Sequence, residues 1–171
     1  MASYYKIPKD KLDDILFDSL VEEKEEAKSN KEYSVFSQRD PRWKNIKLGF
    51  GSTTIGSHGC FLTCLSMIVG KRPDEVNEIL KKAGAYSRDL MISYKAAEAL
   101  GLEYNGKETN ISKMPQYSPS IKEVTMGKSS QHFVLRIIDK EKKAIIDPWT
   151  GRREYINFYP FRSYRLFKKK R

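Results

Sequence analysis

The sequence predicts an α+β domain, and three observations predict it. A stretch of helical length, Phe61 to Val69, is apolar on nearly every side and follows a glycine-bearing loop. Two further segments with helical spacing come after it. From residue 121 onward the pattern changes to short β-branched and aromatic runs separated by Gly, Pro, Ser or charged turns. Helices first and strands later is the order of an α+β fold, and 171 residues suffice for one domain with a proper core.

In chain order, residues 8–28 read as a helix with Leu12, Ile15, Leu16 and Leu20 on a narrow apolar stripe, followed by a charged run from Glu22 to Glu26. Residues 1–30 are expected to form an N-terminal helical extension that docks on the domain or on a partner. Ser29, Asn30 and Lys31 break it, and the domain proper is expected over 31–167, with a basic tail at 168–171. Residues 33–36 suggest a short strand. The polar segment 37–43 follows, with Pro41 biasing Asp40 toward extended backbone and Trp43 as an anchor. Gly49, Gly51 and Gly56 then mark a loop that must pass close to something.

The apolar helix comes next, with Cys60 at its seam with the loop and Gly70 as its stop. Pro73, Asp74 and Glu75 open a second helix whose inward face is Val76, Ile79, Leu80 and Ala83, closed by Gly84. A third helix is expected over 89–100, ended by Gly101. Strands are expected over 121–126, 133–138, 144–146 and 155–159.

The net charge of +10 is uneven: residues 1–30 hold five Lys against eight Asp and Glu, so the remainder carries +13. A basic body favours anionic partners such as nucleic acid, acidic cell-wall polymers or membrane headgroups without choosing among them. The last four residues read equally as a solvated tail. The first twenty residues alternate Lys and Asp with apolar residues, unlike a signal peptide, and no apolar run reaches membrane-spanning length. The expectation is a soluble protein without a signal peptide, cytoplasmic, released by lysis or carried on a virus particle. Cys60 and Cys64 lie four apart on one helix, a geometry that disfavours a disulfide. His58, Cys60 and Cys64 lack a zinc-finger spacing, so no metal and no cofactor is expected.

Cys60 is the first candidate for chemistry. A helix N-terminus favours an anion, hence a thiolate, and Gly59 is expected to leave room for another molecule to approach the sulfur. His132 opens the strand that runs through Phe133 and Ile138, and Asp147 ends the strand that begins at Ala144. The two form a hairpin. A turn centred between Asp139 and Lys140 would set His132 opposite Asp147, where the carboxylate would orient the imidazole and leave its other nitrogen to a thiol. Blander readings stand beside this one: Cys60 as a small hydrophobe, His132 as a strand-end histidine, and Asp147-Pro148-Trp149-Thr150-Gly151 as a turn. His58 is nearer in sequence but shares the thiol's loop and has no evident carboxylate to orient it.

Five separated motifs occur in order: Phe36 to Trp43, the glycine-rich approach from Leu48 to Gly56, Gly59-Cys60, Gln131-His132-Phe133-Val134, and Asp147 to Gly151. Together they resemble the peptidase C39-like family of papain-like cysteine peptidases, from about Tyr33 to Gly151. The resemblance implies a papain-like fold in which a buried helix carrying the cysteine packs on an antiparallel sheet carrying His and Asp. It implies Cys60 as nucleophile, His132 as general base and then acid, Asp147 as orienting residue, and Gln38 as oxyanion donor beside the Cys60 N–H. The substrate would be a peptide, with the peptide cross-links of bacterial cell wall as a candidate. Cys64 is expected to pack in the helix interior and stay inert.

A reading of another class keeps the fold without the chemistry: a basic binding module for nucleic acid or wall polymer. Against it, Tyr155, Phe158, Tyr159, Phe161, Tyr164 and Phe167 are spaced like core-facing strand residues rather than a base-stacking platform. Oligomeric state, the scissile bond and the choice between hydrolysis and acyl transfer are not written in the sequence.

Overall fold

Short β-branched runs separated by turns pair into one antiparallel sheet, and the apolar helix lies against it. The computed structural model describes residues 33–110, 119–126, 130–139, 142–154 and 160–170. The helix expected over 8–28 and the strand expected over 155–159 lie outside these. In chain order the elements are α1 (Ile55–His58), α2 (Cys60–Val69), α3 (Pro73–Lys82), β1 (Tyr86–Ser87), β2 (Leu90–Met91) and α4 (Ser93–Ala99). There follow β3 (Leu102–Glu108), β4 (Ser120–Met126), β5 (Ser130–Asp139), β6 (Lys142–Asp147), β7 (Arg152–Glu154) and β8 (Phe161–Lys169). The chain is α+β. A small hairpin joins β1 to β2, and the larger sheet runs in the order β3-β8-β4-β5-β6-β7.

Helix α2 spans Cys60–Val69, and every residue from Leu62 to Ile68 is buried. Its Thr63 and Ser66 hydroxyls satisfy themselves inside the core by donating to the carbonyls of Gly59 and Leu62, at 2.8 and 2.9 Å. Phe133, Leu135 and Ile137 of β5 meet α2 in the main core, where the Phe61 and Phe133 rings lie 4.8 Å apart. Helix α3 starts as the acids after Pro73 predict: Glu75 accepts from the Arg72 N–H, and the helix buries Val76 and Leu80.

Three expectations need correction. Residues 33–36 form no strand; Phe36 instead sets its edge on Trp43, ring centres 5.9 Å apart. The third helix is confined to Ser93–Ala99, because residues 86–91 are drawn into the β1–β2 hairpin. The glycine loop does the drawing: Phe50 N–H donates to the Arg88 carbonyl at 2.7 Å, and Thr53 donates to the Asp89 carboxylate at 2.9 Å. What the loop passes close to is therefore this hairpin. A Cβ on Gly49, whose φ is +56°, would come within 2.7 Å of the Tyr86 ring. Finally, the basic C-terminus is not all tail. Lys168 and Lys169 belong to β8 and pair with Glu103 and Leu102, placing the last strand in the interior of the sheet.

Among the described residues, no helix is long and apolar enough to cross a membrane.

Candidate active site

The site begins at the join of two helices. Thr54 caps α1 through a reciprocal arrangement with Ser57, and α1 ends at Gly59, whose N–H donates to the Ile55 carbonyl at 2.8 Å. Gly59 has an ordinary φ of −83°. Its requirement is spatial: an added Cβ would lie 2.8 Å from Ile55 Cγ2 and 2.9 Å from Ile55 Cα. The space beside Gly59 is thus filled by Ile55 rather than left open to an incoming molecule, a correction to the role expected from sequence. Cys60 becomes the first residue of α2, half-buried, at the helix's positive end.

The sheet supplies the rest. In the β5–β6 hairpin Leu135 pairs with Ile146, and Asp139 pairs with Lys142, leaving residues 140 and 141 between them. The expected turn, centred between Asp139 and Lys140, lies one residue too early. The observed register moves the partner positions by two, and a shift of two preserves the face. His132 and Asp147 are accordingly diagonal neighbours rather than opposite ones. His132 Nε2 still meets Asp147 Oδ1 at 2.7 Å, with the residues 4% and 0% exposed.

Oδ1 of Asp147 also accepts the Trp149 N–H at 2.8 Å, an Asx-type turn that fixes the carboxylate while it holds the ring. With Nε2 committed to Asp147, Nδ1 is left for the hydrogen bond between His132 and the Cys60 sulfur. Burial alone would lower the imidazole's pKa. The hydrogen bonds to Asp147 and to Cys60, with their negative charge, outweigh burial and raise it from 6.5 to about 9. An imidazolium held between a carboxylate and the Cys60 sulfur is the state this arrangement favours.

Gln38 is 1% exposed and is tied to both halves of the site. Its side-chain Nε2 donates to the Gly56 carbonyl at 3.0 Å, on the loop before Cys60. Its backbone N–H donates to the Pro148 carbonyl at 2.8 Å, and the Ser37 hydroxyl donates to the same oxygen at 3.2 Å. Gln38 Oε1 is buried without a hydrogen-bond partner among the described residues. Reversing the amide would set two oxygens against each other at Gly56, so Nε2 keeps this orientation and holds a second N–H in reserve. Trp43, fully buried, donates its indole N–H to the Ser37 carbonyl at 2.8 Å and so braces the turn that carries Gln38.

Of the residues singled out in the sequence, Cys60, His132 and Asp147 are brought into one hydrogen-bonded series, and Gln38 is stapled to the Asp147 turn. Cys64, one helical turn behind Cys60, is fully buried, and burial raises its thiol pKa well above the ordinary value, with the negative charges at Cys60 and Asp147 adding to the effect. His58 is exposed and hydrogen-bonded through Nδ1 to the Ser57 hydroxyl at 2.9 Å.

One cluster escaped sequence reading. Glu123, 3% exposed, accepts from Gln131 Nε2 at 2.7 Å, from the Ser163 hydroxyl, and from Arg165 at 2.9 Å. Lys107 and Arg162 stand 3.7 and 3.8 Å from the same carboxylate. Burial would raise the Glu123 pKa, but these hydrogen bonds and cations bring it down from 4.5 to about 2. The sequence signal was an acidic residue at an inward position of β4; Ser163 and Arg165 come from β8, 40 and 42 residues away, which pattern alone does not connect.

No protein-family model and no curated protein matches the chain. Among the described residues, no group of three or more His, Cys, Asp or Glu side chains is placed to hold a metal ion.

Proposed function

We propose that the chain is a thiol-dependent amide hydrolase, a cysteine peptidase of the C39-like, papain-like kind, acting on peptide bonds. The observation that carries this reading is the series Cys60, His132, Asp147, with the thiol at a helix start and the imidazole's two nitrogens divided between sulfur and carboxylate. The Cys60 thiolate attacks an amide carbonyl and forms a C–S bond. The negative charge passes to the carbonyl oxygen, where the spare N–H of Gln38 and the Cys60 backbone N–H are the candidate donors. As the tetrahedral intermediate collapses the C–N bond breaks, and the His132 imidazolium gives its proton to the leaving amine. Neutral His132 then takes a proton from water, hydroxide attacks the thioester, and acid and thiolate are regenerated. The peptide cross-links of bacterial cell wall are the first substrates to screen, alongside ordinary polypeptides.

The test is the rate of Cys60 alkylation by iodoacetamide against pH, in a Cys64→Ala background, with and without His132→Ala. The expected result is a reactive thiolate well below pH 8 that disappears with His132. An ordinary thiol profile near pH 8.5, indifferent to His132, overturns the reading. Steeply salt-dependent binding of nucleic acid or wall polymer, unaffected by Cys60→Ser, would then favour a basic binding module.

A further inference from the structure

One residue beyond the reacting pair on each element stands an aromatic ring. Phe61 follows Cys60 and Phe133 follows His132; both are half-buried, and their centroids are 4.8 Å apart. The Arg165 guanidinium lies 5.6 Å from the centroid of Phe133. Arg165 is one of three cations gathered on the single Glu123 carboxylate, which leaves the cluster with a surplus of two positive charges. Only Arg165 is hydrogen-bonded to it. Lys107 Nζ and Arg162 Nε, at 3.7 and 3.8 Å, are beyond hydrogen-bond length, and their side chains are 47% and 44% exposed. Their N–H donors are open to another acceptor. The carboxylate that assembles this cluster is itself satisfied by Gln131, Ser163 and Arg165, and Gln131 is the residue immediately before His132.

We infer that the Phe61–Phe133 surface and its rim of Lys107, Arg162 and Arg165 form a substrate subsite beside the thiol, one that takes a residue with a short aliphatic stem ending in a carboxylate. This rests on the thiol-hydrolase reading and deepens it by naming the substrate class. The rings suit the apolar stem, and the rim suits the anion at its tip. Glu123 fixes Arg165 by a hydrogen bond and keeps Lys107 and Arg162 nearby without cancelling their charge, so part of the subsite is organised before its ligand arrives. A polyanion such as nucleic acid offers charge along its whole length with no apolar stem for the rings, and fits the pair of features less well.

The experiment compares two thiol reagents of equal shape, N-iodoacetyl-glutamate and N-iodoacetyl-glutamine, on the folded full chain carrying Cys64→Ala, at neutral pH and low salt. The glutamate reagent should modify Cys60 about tenfold faster, in line with a charge-assisted contact. In Lys107→Ala/Arg162→Ala the ratio should fall to about one while the rate with iodoacetamide stays as it was. Arg162→Glu should reverse the preference. Equal rates for the two reagents in the parent chain overturn the inference. So does a ratio that survives the double substitution, because the attraction would then come from the His132 imidazolium. The iodoacetamide rate judges the thiol and its imidazole, and the ratio judges the subsite, so either can fail alone. A thiol without activation still reports the ratio, only more slowly.

Discussion

Two buried carboxylates divide the electrostatic work of this protein in opposite ways. Asp147 ends β6 and spends its charge on an imidazole, a partner that can lose its proton as pH rises through about 9. Glu123 sits inside β4 and spends its charge on a guanidinium, a hydroxyl and an amide, none of which changes state in that range. Burial is nearly the same, at 0% and 3% exposure. The partner decides the consequence. A carboxylate on an imidazole makes a group whose protonation is adjustable, which acid–base chemistry needs, while a carboxylate on arginine makes a fixed field and a fixed strand register.

The sharpest way to break the comparison is at the thiol. Cys60→Ala should reduce peptide hydrolysis to background and also lower the His132 pKa from about 9, because one of the two groups raising it is gone; a histidine titration by NMR reads the second effect. No corresponding change is expected around Glu123. Next in size is Gln38→Ala, which should slow turnover by about 2.7 to 4 kcal/mol in the transition state while leaving Cys60 alkylation within about twofold of the parent. A parallel loss of alkylation would mean that Gln38 acts by holding the site together rather than on the oxyanion.

On the Glu123 side the effect should fall on stability instead. Glu123→Gln leaves Arg165 without its charge partner and should cost about 3 kcal/mol by urea denaturation, with the iodoacetamide rate preserved. The smallest effects are in pH dependence, and they run in opposite directions. The His132 pKa is raised on folding, so its contribution is complete below 6.5 and is lost as pH rises through about 9. The Glu123 pKa is depressed, so its contribution is complete above 4.5 and is lost as pH falls toward about 2. Urea midpoints across both windows, with Glu123→Gln and His132→Ala as controls, should remove one limb each. A single variant that erased both limbs would dissolve the distinction.

Much of the site was legible because its signals are local. The run from Phe61 to Val69 could bury itself only as an interior helix, and that places Cys60 at a helix start. The two strands flanking residues 140 and 141 could only form a hairpin, and the even parity of the register keeps His132 and Asp147 on one face even though the turn lies one residue later than expected and the cross-strand partners move by two. The turn at Asp147 to Gly151 was readable as well; that Asp147 Oδ1 would serve both His132 and the Trp149 N–H was not. Where the sequence misled, a long-range partner had intervened. The helix expected to begin near residue 89 lost its first turn to the glycine loop, which bonds Arg88 and Asp89.

By itself, then, the sequence determined the α+β class, the helix that carries the thiol, the hairpin that carries imidazole and carboxylate, and the positive balance of the body. These follow from periodicity and turn chemistry, which act over a few residues. Only the tertiary structure decided that β8 lies between β3 and β4, and with it that Ser163 and Arg165 meet Glu123. It alone decided that Gln38 spans Gly56 and Pro148, and that Gly59 is needed for the contact with Ile55. Contacts between segments far apart in the chain depend on which strand docks beside which, and that is settled by the joint burial of all of them rather than by any one segment's pattern.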